Sequence, residues 1–471
     1  MKKLAIKARE ILVPPLSWKI PAEAIITAER LDAKFFALKK QQFLERMGNI
    51  WELTTLGSLC DQIFRGNAPH KPAYVSHGVP VLVTDSITGK GIDWDNVSFV
   101  PKEVYEKLRE REVLVNDLIV ASTGLGSIGK VDIIGFVPDK YEGVLTTPEI
   151  TVVRIRKRKN PYYVLAFLRS PPGQVQVQSL PRGESGQLHL YPHDIANIMV
   201  PVLPLKEQKW IGEPLAKAEE LRKEKFKLKE KLTEWEHEVF KEASPPKTFV
   251  ISRKELEERL DARYYLSKQI ARKLSKYKVV KLKKLLREPV RMGCTPPKKE
   301  YGRGGMPIVK VDNLTAEYQI DWNTISFVSD DFYRKALRAR IHEHDILIPS
   351  AGMSLLQRRA SIVHIPPEMD EIPLAVGELL IIRVNEELVN PYYITWLMTT
   401  DFWLMQISGL IRGSAQMHLY PRDLAEALIP YPPRDIQDEI GKLVKNIVKL
   451  RVQVDILQKE AEHRLIQLII M

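Results

Sequence analysis

The sequence predicts an α+β protein in which two homologous, strand-rich, mixed α/β globular domains are joined by a pair of long antiparallel coiled-coil helices, an internal repeat with a pseudo-twofold. Three observations carry this expectation. The chain is written twice, each copy has the same strand-rich grammar, and each copy ends in a long heptad helix.

The repeat is read directly. Leu31-Asp32-Ala33-Lys34-Phe35-Phe36 returns as Leu260-Asp261-Ala262-Arg263-Tyr264-Tyr265, and Ile92-Asp93-Trp94 as Ile320-Asp321-Trp322. Asn160-Pro161-Tyr162-Tyr163 returns as Asn390-Pro391-Tyr392-Tyr393, and His189-Leu190-Tyr191-Pro192 as His418-Leu419-Tyr420-Pro421. The offset barely moves (260 − 31 = 229; 390 − 160 = 230), so the matches are collinear. Two homologous halves are the simplest source of such spacing.

Within each half, short apolar runs such as Val79-Pro80-Val81-Leu82-Val83 and Asp117-Leu118-Ile119-Val120 are broken by Gly, Pro and Asn, the pattern of strands and turns. Pro201-Val202-Leu203-Pro204 and Pro430-Tyr431-Pro432-Pro433 mark the exits. These limits give a first globular domain at 1–205 with its N-terminal segment, a long helix at 206–242, a second domain at 243–433 with its linker and leading segment, and a second long helix at 434–471.

In the first long helix, steps of seven join Ile211, Ala218, Lys225, Leu232 and Val239, with a companion seam at Leu221, Leu228 and Trp235. The second helix repeats this through Ile440, Ile447, Val454, Ala461 and Leu468, with Leu443, Leu450 and Leu457. Sustained a/d heptads need a partner. Packing on the helix's own domain, homodimerisation and pairing of the two helices inside one chain are all open to such a seam. One copy per chain, with a turn at Ala243-Ser244-Pro245-Pro246, favours the internal antiparallel pair.

Composition bounds the function. The chain has 471 residues, which at ~150 per domain allows about three domains. With 44% hydrophobic and 28% charged residues it is not disordered by composition. Net charge is 71 − 59 = +12, which points to a polyanionic partner. The long helices hold almost none of it, 10 − 10 = 0 over 206–242 and 7 − 6 = +1 over 434–471, so the domains carry the rest. Two cysteines, Cys60 and Cys294, exclude a disulfide framework and a four-thiolate zinc site, and a reducing cytoplasm is expected. No run of about 20 apolar residues is present, and only Leu4-Ala5-Ile6 separates Lys3 from Lys7, so neither a membrane span nor an export signal is expected.

Catalytic motifs fail on inspection. Gly124-Leu125-Gly126-Ser127-Ile128-Gly129 has dinucleotide-loop spacing, but Lys130-Val131-Asp132-Ile133-Ile134 reads as a strand where a helix is required. A tight strand–strand turn fits better. Asn160-Pro161-Tyr162-Tyr163 is similar to the Asn-Pro-Pro-Tyr motif of adenine methyltransferases but lacks its second proline. An Asn cap followed by proline at the first helical position is the better reading. His342 and His344 are accompanied by no H-E-x-x-H motif and no Cys/His cluster, so no metal is expected. The chain is expected to contain no catalytic residues and to bind no cofactor.

Specific motifs then resemble the specificity (S) subunit of type I restriction–modification systems. Thr55-Leu56-Gly57-Ser58-Leu59 opens a domain with Gly66 soon after, and Gly78-Val79-Pro80 leads to Asp85. Asn116-Asp117-Leu118-Ile119 precedes Gly126-Ser127-Ile128-Gly129-Lys130-Val131, and Gln187-Leu188-His189-Leu190 stands near the exit. The second half departs at Gly352-Met353-Ser354. The resemblance implies a non-catalytic, cytoplasmic subunit. Each recognition domain would read half of a bipartite double-stranded DNA target, and the helices would set the spacing and dock modification subunits. S-adenosylmethionine would sit on those subunits, and ATP and magnesium on a separate restriction (translocase/nuclease) subunit. A stand-alone DNA- or RNA-binding regulator, dimerising through its long helices, is the alternative; a self-sufficient methyltransferase is a more remote one.

Candidate DNA contacts follow from loop position and residue type. In the first half they are Arg65, Asn67, His70, Lys71, Ser122, Thr123, Lys130 and Arg182; in the second, Arg291, Lys298, Lys299, Arg303, Gln357, Arg358, Arg359 and Arg412. Arg and Lys suit phosphate and guanine, and Asn67 and Gln357 suit adenine. Residues kept in both halves, Arg182/Arg412, Gln187/Gln416, His189/His418 and Tyr191/Tyr420, cannot by themselves distinguish two half-sites. Base reading is expected where the halves diverge, at 65–74 against 291–301 and at 122–127 against 350–359.

Overall fold

The computed structural model describes residues 38–69, 74–124, 126–182, 188–241, 251, 261–413 and 416–469, with the side chains of 38–41, 43, 303 and 304 outside that set. The first copy of the leading repeat (31–36) and the 243–246 linker therefore lie outside the described residues. The chain divides into two compact units, Met1–Glu224 with Val452–Met471, and Lys225–Arg451.

The first unit runs α1 (Leu38–Ile50), β1 (Leu53–Thr55), β2 (Cys60–Arg65), β3 (Val79–Leu82), β4 (Val97–Val100), β5 (Leu118–Ala121), β6 (Val131–Ile133), β7 (Leu145–Thr146) and β8 (Ile150–Ile155). Helices α2 (Pro161–Arg169) and α3 (Pro171–Ser179), strand β9 (Met199–Pro201) and the long α4 (Leu205–Val239) follow. The second unit runs α5 (Ala262–Leu274), β10 (Val279–Lys281), β11 (Arg291–Met292), β12 (Tyr301–Val309), β13 (Ser326–Val328), β14 (Ile346–Pro349), β15 (Ser361–Ile362), β16 (Leu374–Ala375) and β17 (Leu379–Ile382). Helices α6 (Pro391–Leu397) and α7 (Asp401–Leu410), strand β18 (Leu428–Pro430) and the long α8 (Arg434–Ile469) follow, α8 from Val452 onward belonging to the first unit as α4 from Lys225 belongs to the second.

The topology is duplicated. The first unit has sheets ordered β2-β8-β5-β6, β4-β3-β7 and β1-β9; the second has β11-β17-β14-β15, β13-β12-β16 and β10-β18. In both three-stranded sheets one pair is antiparallel and the other, β3–β7 or β12–β16, is parallel. Central strands β5 and β14 are buried at every position, so they read as unbroken apolar runs rather than alternating ones.

The same polar joints recur in each unit. Asn160 Oδ1 accepts the Tyr162 and Tyr163 amides at 3.0 and 3.1 Å, and Asn390 Oδ1 those of Tyr392 and Tyr393 at 2.9 and 3.3 Å. Proline follows each cap, where its missing N–H is harmless. The methyltransferase-like motif is thus a helix start. Tyr163 Oη donates to Pro201 O at 2.7 Å and Tyr393 Oη to Pro430 O at 2.9 Å, tying each helix to its exit strand. The Gly124–Gly129 segment joins β5 to β6, with both glycines at positive φ (+89° and +84°), as a strand–strand connection requires.

Each unit contains part of each long helix. In the first, Ile211 and Leu215 of α4 share a core with Ala461, Leu465 and Ile469 of α8, and Arg464 lies 5.0 Å over the Trp210 ring. In the second, Leu232 and Val239 share a core with Ile440, Val444, Ile447 and Val448. The start of one helix meets the end of the other, and conversely. That is antiparallel pairing.

In the leading seam Ile211, Ala218, Lys225, Leu232, Val239, Ile440, Ile447, Val454 and Ala461 are buried, and Leu468 is half-buried. The companion seam differs. Leu221, Leu228, Trp235, Leu443 and Leu457 are only half-buried, although Leu450 is buried and Leu228, Trp235 and Leu443 pack against the second unit's core. Buried companions stand four residues after the leading positions, at Leu215, Arg222, Val444 and Leu465. Counting apolar residues alone misplaced this seam, because its middle is ionic. In the first unit Arg222 pairs with Glu219, and both are buried. In the second, Glu317 meets Lys225 Nζ at 2.5 Å, Lys229 Nζ at 3.6 Å and Arg451 Nη1 at 3.4 Å. Burial alone would raise the Glu317 pKa, but these cations hold it well below the usual carboxylate range.

Candidate nucleic-acid interface

At one end of the first unit's main sheet, three segments converge. Arg65 ends β2, Ser122 follows β5, and Arg182 and His189 exchange backbone N–H···O bonds of 2.9 Å. Leu190 N donates to Ser122 O at 2.9 Å, tying the His189-Leu190-Tyr191 motif to the β5 end. Arg65 Nη2 donates to Leu190 O at 2.9 Å, and its guanidinium lies 5.0 Å over the Tyr191 ring. The second unit repeats the frame. Arg412 and His418 exchange backbone bonds of 2.8 and 2.9 Å, Leu419 N donates to Ser350 O at 2.8 Å, and Gly352 N donates to Met417 O at 3.0 Å.

Register corrects one pairing expected from sequence. Arg65 stands opposite Thr151 and Phe64 opposite Val152, whereas Arg291 stands opposite Ile381 and Met292 opposite Leu380. Val152 and Ile381 are themselves equivalent, since they face Ile119 and Leu347. Arg291 therefore occupies the place of Phe64, and Arg65 that of Met292. The two arginines leave their sheets on opposite faces.

Several candidates have structural partners. Arg182 clamps Asp194, with Nε–Oδ2 at 2.9 Å, and Arg412 clamps Asp423 through Nε and Nη2, both at 2.6 Å. Asp194 and Asp423 are buried, so each arginine satisfies an interior carboxylate. Ser122 is fully buried and shares a 2.7 Å hydrogen bond with Thr151. Arg291 donates to Arg338 O and Glu288 Oε1, each at 2.8 Å, and Arg358 pairs with Asp401. Lys298, Lys299 and Gln357 are exposed, and Thr123, Lys130 and Arg359 are half-buried. His70, Lys71 and Gln187 lie outside the described residues. Arg303 belongs to β12, with its side chain outside the described set.

Two features were missed from sequence. Tyr191 and Tyr420 are 36% and 41% exposed beside the converging loops, next to His189 and His418, with ring centroids 6.4 and 6.1 Å apart. They offer flat aromatic surface at that end of each unit. Around Gly66, Arg65 Nε, Asn67 Oδ1 and Thr146 Oγ1 are buried without a hydrogen-bond partner. A Cβ at Gly66 would lie 2.2 Å from Thr146 Oγ1. No sequence signal links Thr146 to residues 65–67; β7 brings it there.

No family model matches the chain. The curated type I restriction enzyme MjaVIII specificity subunit of Methanocaldococcus jannaschii is 21% identical over 359 residues, 76% of this chain and 78% of that one. The putative type I restriction enzyme MjaX specificity subunit of the same organism is 22% identical over 416 residues, covering 88% and 89%. The curated relatives are type I specificity subunits. Similarity to type I specificity subunits thus runs through both units and is not confined to one motif. Among solved structures, the type I restriction–modification S subunit from M. genitalium aligns at 16% identity with a TM-score of 0.46, over 89% of this chain and 96% of that one. No helix among the described residues is long and apolar enough to cross a membrane.

Proposed function

We propose that this chain is the DNA-recognition subunit of a type I restriction–modification complex, each unit reading one half of a bipartite duplex target. The observation that supports this most is duplication of the frame with divergence at its tip. The Arg–Asp clamps, Asn caps and sheet orders recur, while Arg65 of the first unit is replaced by Met292 at the equivalent position of the second. Shared clamps hold the reading end in both units, and unshared residues give each a different set of donors and acceptors. Base edges carry the sequence information; phosphates carry register.

Energetically, two short readings suffice. A mismatched base pair costs ~1–3 kcal/mol, so two half-sites together reach the ~4–10 kcal/mol that separates specific from nonspecific binding. The paired helices would set the spacing and present the docking surface for modification subunits. In this reading the chain has no chemistry of its own. Adenine methylation from S-adenosylmethionine belongs to the modification subunits, and ATP- and magnesium-dependent cleavage to a restriction subunit. The rival reading, dimerisation through free heptad seams, is less supported, because α4 and α8 fill each other's seams within each unit.

Methylation-aware sequencing of the source genome tests this. The expected result is methylated adenines in a motif of two short blocks separated by a fixed gap, lost when this gene is deleted. An uninterrupted motif, or methylation unchanged by the deletion, would contradict it.

A further inference from the structure

Away from the reading end, the second unit gathers two histidines and a carboxylate that its first-unit counterpart lacks. His344 sits in the turn before β14 at φ +66°, the left-handed place that Asn116 holds at φ +74° in the first unit. His364 follows β15; its first-unit counterpart is Gly135, where a Cβ would lie 2.4 Å from Glu219 of α4. One donor atom each from Glu343, His344 and His364 lies within 4.8 Å of the other two.

The surroundings orient each donor. Glu343 Oε2 accepts the Ile365 amide at 3.0 Å, leaving Oε1 2.5 Å from His364 Nδ1 and 4.0 Å from His344 Nε2. On the far side of each ring, His344 Nδ1 lies 3.1 Å from Glu386 Oε1 and His364 Nε2 lies 3.1 Å from Tyr392 Oη. A histidine whose outer nitrogen is held by a carboxylate or hydroxyl has its tautomer and ring fixed for metal binding through the inner one. The rings are perpendicular, at 86°, with centroids 5.6 Å apart. His342, in the same turn, is instead turned to Arg383, with Nδ1 2.5 Å from Nη2.

We propose that Glu343 Oε1, His344 Nε2 and His364 Nδ1 form a binding site for a divalent transition-metal ion of the zinc class, with Glu386 and Tyr392 as outer supports. Two imidazoles and one carboxylate are a borderline donor set that suits zinc better than magnesium or calcium. Tetrahedral ligand bonds of ~2.0–2.2 Å set donors ~3.3–3.6 Å apart, so His344 Nε2 must move inward while the Glu343–His364 pair opens to admit the ion. Three protein ligands leave a fourth position open. The bound ion ties the turn before β14 to the exit of β15, and through Glu386 and Tyr392 to the start of α6. The chain spacing, 364 − 344 = 20 residues, hides the site from motif reading.

The test uses the full chain, stripped with chelator and dialysed against zinc chloride, with metal counted by mass spectrometry and cobalt absorption as a second readout. One zinc per chain is expected, with a higher melting temperature and a visible cobalt band. His344→Asn, which restores the first unit's residue at a compatible φ, and His364→Ala should each lose the zinc and the band, while His342→Ala keeps both. Metal-free melting of His344→Asn should match metal-free wild type, which separates ligand loss from misfolding. Less than half an equivalent in wild type, or undiminished binding in His344→Asn, overturns the site. Neither result bears on DNA reading.

Discussion

Arg65 and Met292 hold the same place in their respective units. Each is the last residue of its strand, and each precedes a glycine whose amide donates to the matching strand, Gly66 to Ile150 O at 3.0 Å and Gly293 to Leu379 O at 3.1 Å. A cation with five donors in one unit is a thioether in the other, on one backbone frame.

The clamps should matter for stability rather than specificity. Arg182→Ala or Arg412→Ala strips the partner from a buried aspartate and is expected to cost about 1–3 kcal/mol, read from urea unfolding. Lys298→Ala, on an exposed lysine, should change stability by less than about 0.5 kcal/mol.

Salt dependence separates phosphate contacts from base contacts. Lys298→Ala and Lys299→Ala in the assembled complex should each weaken binding about equally on all duplexes. Each should also flatten the plot of log affinity against log salt by about 0.9. A sequence-dependent loss would make them readers instead.

Two helix glycines should defy helix propensity. Gly→Ala inside a helix ordinarily stabilises by about 0.8–1 kcal/mol. A Cβ at Gly212 would lie 2.9 Å from Asn160 Oδ1, and one at Gly441 2.6 Å from Asn390 Nδ2. Gly212→Ala and Gly441→Ala should therefore destabilise, by about 1–2 kcal/mol in thermal melts, because each long helix presses on an Asn cap.

Acid should undo the Glu317 cluster. Its folded pKa lies below the unfolded value of about 4.3, so its contribution is complete above that value and fades as pH falls below it. Glu317→Gln strands the buried Lys225 and should cost about 3 kcal/mol at pH 7. The gap between wild-type and variant urea midpoints should narrow from pH 5 to pH 3; a constant gap would mean the cations do not hold the charge.

Much of this was legible in sequence, and the rest failed for identifiable reasons. Asn160 and Asn390 announced their helices because cap and proline are local signals. Ile211, Ala218 and Leu232 announced a seam because heptads are periodic. The companion seam was not legible, since Arg222 and Lys225 become interior only once Glu219 and Glu317 are folded against them. Arg65 and Arg291 looked equivalent because each stands shortly before a glycine at the start of a diverging stretch, yet a one-residue offset turns a strand side chain to the other face. Thr146 beside Asn67, and His344 beside His364, are products of strand pairing across long stretches of chain.

The most direct measurement selects bound duplexes from a randomised pool with the assembled complex, comparing wild type with an Arg65→Met variant that copies the second unit's residue. The expected outcome is a two-block motif in which one block changes and the other, with the gap, stays as it was. Change in both blocks, or in neither, would contradict a shared frame with separately specified reading tips.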